Sequence, residues 1–524
     1  MNRILIQPLL LLVLLVATSG VLAGNQDLAQ GIVIKEVTVL GSTVFDEGDL
    51  QAAINPPIGE TIYIEDVLEM VDAITSLYVD AGYITSGAVL PDQDVSGGRI
   101  VLNVVEGQLA GVNVVSTGRL KTSFLESKIR ANTVGPLNLK DLQRAISKLE
   151  QEPTVSHVRG DLKPTAERGS AQLDLEVIEA DAFKVLIGGD NYKSPSVGEA
   201  QAEIAVSHLN LLGLNDRLDL SAQQTDGVDA YAFQYDFPLQ AIRSRVSVYH
   251  TQGDTLVVEE PFDEIALESE TDTSGLQIKT LWTSSAQSAW HTYLNVESKE
   301  SETSLLGIPF DFSPGSRDGI TEAQVIGFNV EYSRSGEGMG LMVRAGLRSG
   351  SDEYGGSPSL VDGDFTLYRL QAQWIKRLNS DTSEIPWLLK FNVNYQDTAD
   401  TLPAFERMAL GGHSTVRGYR ENRLLKDSGV TASLSLSLPL LTAPRREGIS
   451  IRGELFFDYG RGENSVETLA VNTRGELSSA GVGIEASYRG LRFKIERALR
   501  LQKRKRLGDA LQDSGIHVGV SYEL

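Results

Sequence analysis

The sequence predicts two small α/β modules in tandem, followed by a 16-stranded antiparallel β-barrel that crosses a membrane. Three observations lead there. One strand, helix, helix, strand, strand order occurs twice before residue 181. After roughly Phe183 helical periodicity vanishes and period-two alternation takes over. The connections between the alternating segments are long at one end and mostly short at the other.

The first residues hold Arg3, the apolar run Leu9 to Ala17 and the short-side-chain stretch Val21-Leu22-Ala23, the layout of an export signal over residues 1–23. Gln7, Pro8 and Ser19-Gly20 interrupt it as a membrane anchor. No later segment approaches the ~20 consecutive apolar residues of a spanning helix, so any later crossing must use strands. The formal net charge of −23 argues against nucleic acid as a partner, because phosphate neutralisation needs clustered Lys and Arg. With no cysteine, the exported chain gains nothing from disulfides, which suits a bacterial envelope protein.

Residues 24–30 read as a short polar lead, and residues 31–107 as the first module. Its pattern is a strand in "IVIKEVTVLG", a short helix around Glu47 to Ile54, a longer helix, and strands near Ser86 to Leu90 and Arg99 to Gly107. The longer helix carries Val67, Met70, Val71, Ile74, Leu77 and Tyr78 at three- and four-residue spacing, and Gly82 stops it. The second module, 108–181, repeats the order: a strand near Val112 to Ser116, helices around Thr122 to Ala131 and Leu139 to Glu152, then strands near His157 to Leu162 and Ala171 to Ala180. Each module has about 75 residues, a plausible domain size.

Residues 182–524 read as the barrel, with alternating segments of about ten residues each. "LKFNVNYQ" sets Leu389, Phe391, Val393 and Tyr395 against Lys390, Asn392, Asn394 and Gln396, and "YAFQYDFPL", "SLSLSLPL" and "GLRFKIE" alternate likewise. If the first strand runs outward, the long connections, among them Gln252 to Thr273, Lys299 to Gln324 and Asp397 to Ser428, all face outside. Closure would satisfy every backbone group without leaving an edge in lipid. The acidic stretch "VVEEPFDEIALESETDT" in the third outer loop is expected to keep its charges in solvent, with contact to a divalent ion or lipid as the one further role left open. The run "QKRKR", Gln502 to Arg506, reads as a solvated charge cluster, with outer-leaflet lipid phosphates as the sharper alternative.

Catalytic patterns are scarce. GxxxxGK[ST], HExxH and GxSxG are absent, and the six histidines are scattered. Without clustered acid, base, nucleophile or metal ligands, the sequence suggests neither an enzyme nor a cofactor. "GVGIEA", Gly481 to Ala486, has dinucleotide-type glycine spacing but lies in an alternating strand; glycines 481 and 483 more simply face the lumen and leave room there.

"LGGHSTVRGYREN", Leu410 to Asn422, falls in the sixth outer loop (residues 397–428), hereafter loop 6. On the strand "IRGELFFDYG", Arg452, Glu454, Phe456, Asp458 and Gly460 share one face, and a charge cannot sit cheaply toward hydrocarbon, so Asp458 should face the lumen. A loop folded back into the barrel could bring Arg417 to Asp458, and Gly411, Gly412 and Gly418 would permit the turns. His413 and Ser414 then need no catalytic role.

Here the chain resembles the two-partner secretion transporters of the haemolysin secretion/activation type, within the wider superfamily of outer-membrane insertases and exporters. The family's loop tetrapeptide VRGY or VRGF is matched by Val416, Arg417, Gly418 and Tyr419, and its FxDxG barrel-wall pattern by Phe456, Asp458 and Gly460. The segment Gly82 to Gly107, with Gly82, Tyr83, Leu90, Pro91 and Gly107, looks like the family's first POTRA module. The resemblance implies POTRA modules in the periplasm of a Gram-negative bacterium and a barrel in its outer membrane. It implies an unfolded exoprotein partner of haemolysin or adhesin type, contact with outer-membrane lipid, insertion by the barrel assembly machinery, and function as a monomer. An insertase for other barrel proteins is the alternative, and a passive porin leaves the modules without a purpose. Many family members carry a plug helix before the modules; Gly24 to Gln30 is too short for one, which shifts resting closure toward loop 6. Leu524 stands where such barrels usually end in an aromatic residue, so assembly is expected to lean on Tyr522.

Overall fold

The computed structural model describes residues 31–239, 243–285, 287–313, 316–351, 364–379, 386–442, 448–465, 473–502 and 508–524. The expected export signal and lead, and Lys503 to Arg506 of the basic run, lie outside the described residues. The chain forms two compact units: one runs to Ala182 and takes in Leu209–Asn215, the other comprises Phe183–His208 and Asp216–Leu524.

In the first unit, the first module contains β1 (Ile32–Val33), β2 (Glu36–Leu40), α1 (Glu47–Ile54), β3 (Thr61–Ile62), α2 (Ile64–Asp80), β4 (Gly87–Val89) and β5 (Arg99–Val105). The single strand expected in "IVIKEVTVLG" is two: β1 pairs with β3, whereas β2 lies parallel to β5, with β4 antiparallel on its other side. Asp46 starts α1 by accepting the Asp49 N–H at 2.9 Å, and Asp66 reaches back to the Tyr63 N–H at 2.8 Å to start α2. The α2 stripe Val67, Met70, Ile74 and Tyr78 is buried against Ile34, Val37, Leu50, Ile100 and Leu102.

The second module contains β6 (Gln108–Ser116), α3 (Thr122–Arg130), α4 (Leu139–Glu150), β7 (Val155–Pro164) and β8 (Ser170–Glu179). Its sheet order is β6-β8-β7, with its own core around Phe124, Leu125, Ile129, Leu142, Leu173 and Val177. The residues singled out in "GYITSGAVLPDQDVSGGRIVLNVVEG" serve the first module and its junction with the second. Gly82 adopts φ 101 and its carbonyl accepts the Leu139 N–H at 2.9 Å, while the Gly107 carbonyl accepts the Leu137 N–H at 2.6 Å. Tyr83 packs edge-on against Tyr78, Leu90 against the first core, and the Pro91 carbonyl lies 3.5 Å from Gln93 Nε2.

The second unit is a closed antiparallel barrel. Its strands are β9 (Phe183–Asp190), β10 (Gln201–Leu209), β11 (Arg217–Gln224), β12 (Val228–Leu239), β13 (Ser244–Leu256), β14 (Leu267–Ser284) and β15 (Ser288–Leu305); after the two-residue β16 (Ile308–Pro309) follow β17 (Ile320–Gly336), β18 (Met339–Ser351), β19 (Phe365–Arg377) and β20 (Leu388–Thr398). The short β21 (Met408–Leu410) and β22 (Leu424–Lys426) form a hairpin of their own, and β23 (Ser428–Thr442), β24 (Ile449–Glu463), β25 (Arg474–Tyr488), β26 (Leu491–Arg500) and β27 (Ile516–Glu523) complete the wall. Leaving out β16, β21 and β22, the closed wall has 16 strands, and β27 pairs back onto β9 from Gly519↔Asp190 to Glu523↔Leu186.

Burial is inverted relative to a water-soluble core. Leu276, Leu294, Val296, Ile326, Phe328 and Leu455 are exposed on the outer wall, whereas Asn295, Glu297, Glu331, Arg348 and Asp458 are buried inside. The expectation of strands near ten residues fails: β23, β24 and β25 each have 15 residues, and on one side of the wall β14 and β15 reach 18 and β17 reaches 17. The extra length is polar, so much of the expected third outer loop is strand. Asp254, Glu270 and Glu302 stand side by side in the ladder, as do Asp272, Glu300 and Glu322. Alternation of apolar side chains ends where these strands leave the apolar band, while hydrogen-bonded pairing continues.

Candidate functional site

Loop 6 leaves β20, makes a helical turn at Ala404–Glu406, and rises through the β21–β22 hairpin to a tip spanning 411–423. Gly411, Gly412 and Gly418 adopt φ 102, 103 and 89, a region that L side chains seldom occupy. Leu410, Val416 and Tyr419 from the loop bury against Leu477 of β25, an apolar contact inside a polar lumen.

The loop tetrapeptide meets the barrel-wall motif residue by residue. Arg417 Nε donates to Asp458 Oδ2 at 2.8 Å and Nη2 donates to Oδ1 at 2.9 Å; the Arg417 backbone N–H donates to Oδ2 at 3.1 Å. The guanidinium stacks on Phe456, 3.5 Å from its ring centroid. A Cβ on Gly460 would stand 2.8 Å from Val416 Cγ2, so the third motif residue must be small. Gly418 lies so close to β26 that an added Cβ would sit 2.7 Å from Ala498 Cβ, and its N–H donates to His517 Nε2 at 3.0 Å. The Tyr419 hydroxyl donates to the Ser478 carbonyl at 3.0 Å and lies 3.1 Å from Gln502 Oε1. Gly481 clears the space that the Phe456 ring fills.

The site is larger than its two motifs. Arg417 Nη1 donates to Glu496 Oε1 at 2.8 Å, Lys494 Nζ reaches the same oxygen at 2.9 Å, and Glu454 lies 3.5 Å from Nη1. Ser433 Oγ donates to Asp458 Oδ1 at 2.7 Å. His413 stacks on Tyr192 with centroids 3.8 Å apart, and its Nδ1 lies 2.9 Å from Glu496 Oε2. Asp458 and Glu496 are fully buried, so their charges depend on these donors. Burial lowers the Arg417 pKa, but the carboxylates around it outweigh that and hold the guanidinium charged. The alternation of "GLRFKIE", with Phe493 and Ile495 facing out, already places Lys494 and Glu496 on the lumen side; it could have named them beside Asp458.

Beyond the motif, Arg420 makes two forks. Nε and Nη2 donate to Asp513 at 2.8 and 2.6 Å, and Nη1 and Nη2 each donate to Glu259 at 2.8 Å. Glu259 belongs to the acidic stretch expected to keep its charges in solvent; instead this carboxylate turns inward and pairs with loop 6. A local sequence window cannot show that, because Arg420 lies 161 residues away. Burial pushes the Glu421 carboxyl up to about 7, even though the His413 N–H donates to it at 3.1 Å. Among the described residues no group of His, Cys, Asp and Glu is arranged to hold a metal ion. The chemistry available is that of fixed charges and hydrogen bonds holding a loop inside a barrel.

Comparison with known proteins agrees with this architecture. Residues 169–486 match the model of the haemolysin secretion/activation protein family ShlB/FhaC/HecB, and residues 32–107 match a POTRA domain of ShlB type. The outer membrane transporter CdiB of Dickeya dadantii is 24% identical over 417 residues, covering 74% of this chain and 69% of the relative. The hemolysin transporter protein ShlB of Serratia marcescens is 24% identical over 491 residues, covering 89% and 81%. The solved structure of CdiB from Escherichia coli shares the fold with a TM-score of 0.70 at 18% identity, over 97% of this chain and 92% of that one. BamA from Haemophilus ducreyi lacking POTRA domains 1-3 gives a TM-score of 0.57 at 13% identity, over 94% and 100%.

Proposed function

Because the chain belongs to the haemolysin secretion/activation protein family, the two-partner secretion transporters of the outer membrane, we propose that it exports one unfolded exoprotein of haemolysin or adhesin type, gathered on its POTRA modules and passed through its barrel. The observation that carries the reading is loop 6, a folded hairpin inside the barrel whose Arg417 is fixed to Asp458 by a two-pronged ion pair. A porin has no need of such a loop together with two periplasmic modules.

Segments of the cargo pair with sheet edges of the modules. In support, β6 and β7 are the outer strands of the second sheet, and β6 exposes Val115. Main-chain hydrogen bonds then give affinity with little demand for one cargo sequence. No nucleotide motif is present in the chain, and folding of the cargo outside makes its return unfavourable. Loop 6 holds the resting lumen and shifts as cargo passes. The transporter works as a monomer, reaches the membrane through the barrel assembly machinery, and performs no catalysis of its own.

Quantitative mass spectrometry of supernatant, cell surface and outer membrane tests the reading in wild type, a deletion strain and Arg417→Ala. Loss of one or a few large secreted proteins with other barrels unchanged is expected, with weakened export in Arg417→Ala. An unchanged exoproteome with broad loss of outer-membrane barrels would replace export with an insertase role.

A further inference from the structure

Besides the buried Arg417 and Arg420, loop 6 carries a buried charge of opposite sign at its other end. Glu406 ends the helical turn below the hairpin, and only 1% of it is exposed. Its Oε1 accepts from Lys299 Nζ at 2.8 Å and Arg348 Nη2 at 2.9 Å, and its Oε2 accepts from Arg369 Nη2 at 2.9 Å. These cations project from three different wall strands, β15, β18 and β19. Neighbouring Glu297 accepts from Arg348 Nη2 at 2.6 Å, so two carboxylates face three cations. Gln396 Nε2 donates to the Glu406 carbonyl at 2.9 Å, and Phe405 packs against Ala323, Val325, Phe365 and Leu367.

The two grips lie on either side of the loop's own strands. Glu406 holds β15, β18 and β19, which precede β20; Arg417 holds β24 and β26, which follow β23. The hairpin is therefore an anion seated among wall cations at its foot and a cation seated among wall anions at its tip. Exchanging the ends would place like charges together in a low-dielectric interior, so the charge pattern fixes the hairpin's direction as well as its attachment.

We propose that Glu406 is a second positioning residue of loop 6, whose capture by Lys299, Arg348 and Arg369 aims the hairpin so that Arg417 reaches Asp458. The inference rests on the reading that loop 6 holds the resting lumen. Removing the Glu406 charge leaves three cations with one carboxylate, and their repulsion splays the foot of the hairpin. The tip then spends more time undocked, although none of its own contacts has changed.

The test uses the full-length protein in detergent, carrying Leu477→Cys as its single thiol, since the chain has no cysteine. Leu477 is buried beneath Leu410, Val416 and Tyr419, so labelling of a thiol at that position by a polar maleimide reads how often the loop lifts. Only barrels that keep folded migration on unheated gels are scored. Glu406→Gln is expected to raise the labelling rate about tenfold or more, as loss of one partner of a buried ion cluster requires. Glu406→Lys raises it further, and adding Lys299→Glu, which restores the original charge balance, recovers part of the protection. A purely structural role for Glu406 would not show that rescue. Lys299→Gln is the second variant should Glu406→Gln leave no folded barrel, with a smaller increase expected. Unchanged labelling in Glu406→Gln or in that substitute, alongside a rise in Arg417→Ala, overturns this inference and leaves the loop reading standing. Unchanged labelling in Arg417→Ala overturns the loop reading and this inference with it.

Discussion

Replacing Arg417 with alanine removes a five-donor guanidinium from a site where Asp458 and Glu496 are both fully buried. The lost contacts are the fork to Asp458 at 2.8 and 2.9 Å, the bond to Glu496 at 2.8 Å and the stack on Phe456. These terms do not add, because they share one side chain, and most of the cost comes from the carboxylates left behind. Breaking a buried ion pair by removing one partner costs about 3–5 kcal/mol. With tenfold per about 1.4 kcal/mol, the undocked share of loop 6 should rise roughly 100- to 4000-fold. Maleimide labelling in the Leu477→Cys background reports that change directly when docking is fast relative to modification. Arg417→Lys should fall between wild type and alanine, since an ammonium keeps the charge but cannot make the fork. Labelling of folded Arg417→Ala barrels within about threefold of the parent would refute the energetic argument, because an effect of this size cannot hide there.

Gly460→Ala puts a methyl 2.8 Å from Val416 Cγ2, and Gly418→Ala combines φ 89 with a 2.7 Å approach to Ala498; each should weaken docking by about 1–3 kcal/mol, read as faster labelling in the same Leu477→Cys background. Asp513→Asn should lower the temperature at which the barrel loses folded migration more than Glu259→Gln does, because the Asp513 side chain is 2% exposed and that of Glu259 27%. In the first module burial raises the Glu106 pKa, but hydrogen bonds from Thr43, Tyr78 and Val44 outweigh it and hold the carboxyl below its usual range. A depressed folded-state pKa means stability that is present above the unfolded value and lost as pH falls through the folded one. Glu106→Gln should therefore cost a fragment of residues 31–182 about 1 kcal/mol at pH 7, with the difference from wild type shrinking in acid, measured by thermal melts across pH.

Much of the architecture was legible because periodicity is local. The α2 stripe from Val67 to Tyr78, the face of β24 that carries Asp458, and the outward Phe391 and Tyr395 of β20 all follow from where successive Cβ atoms point. Strand ends were less legible. β14 continues through Leu267–Ser274, where Glu and Asp alternate with Ser and Thr, and a hydrophobic pattern has nothing to register once both faces meet water. The split of "IVIKEVTVLG" into β1 and β2 escaped for another reason, since β1 is defined only by its pairing with β3.

The sequence by itself determined that this chain makes two α/β modules and a 16-stranded barrel, and that Asp458 faces the lumen, because side-chain direction depends on near neighbours and on the cost of charge in hydrocarbon. Only the tertiary structure decided which charges meet. Lys299 and Glu406 are separated by 107 residues, Arg420 and Glu259 by 161, and Arg417 and Glu496 by 79. Such pairs are chosen by barrel closure and by the path of loop 6 through the lumen, and a charge in a loop has no period that would tell where its partner lies.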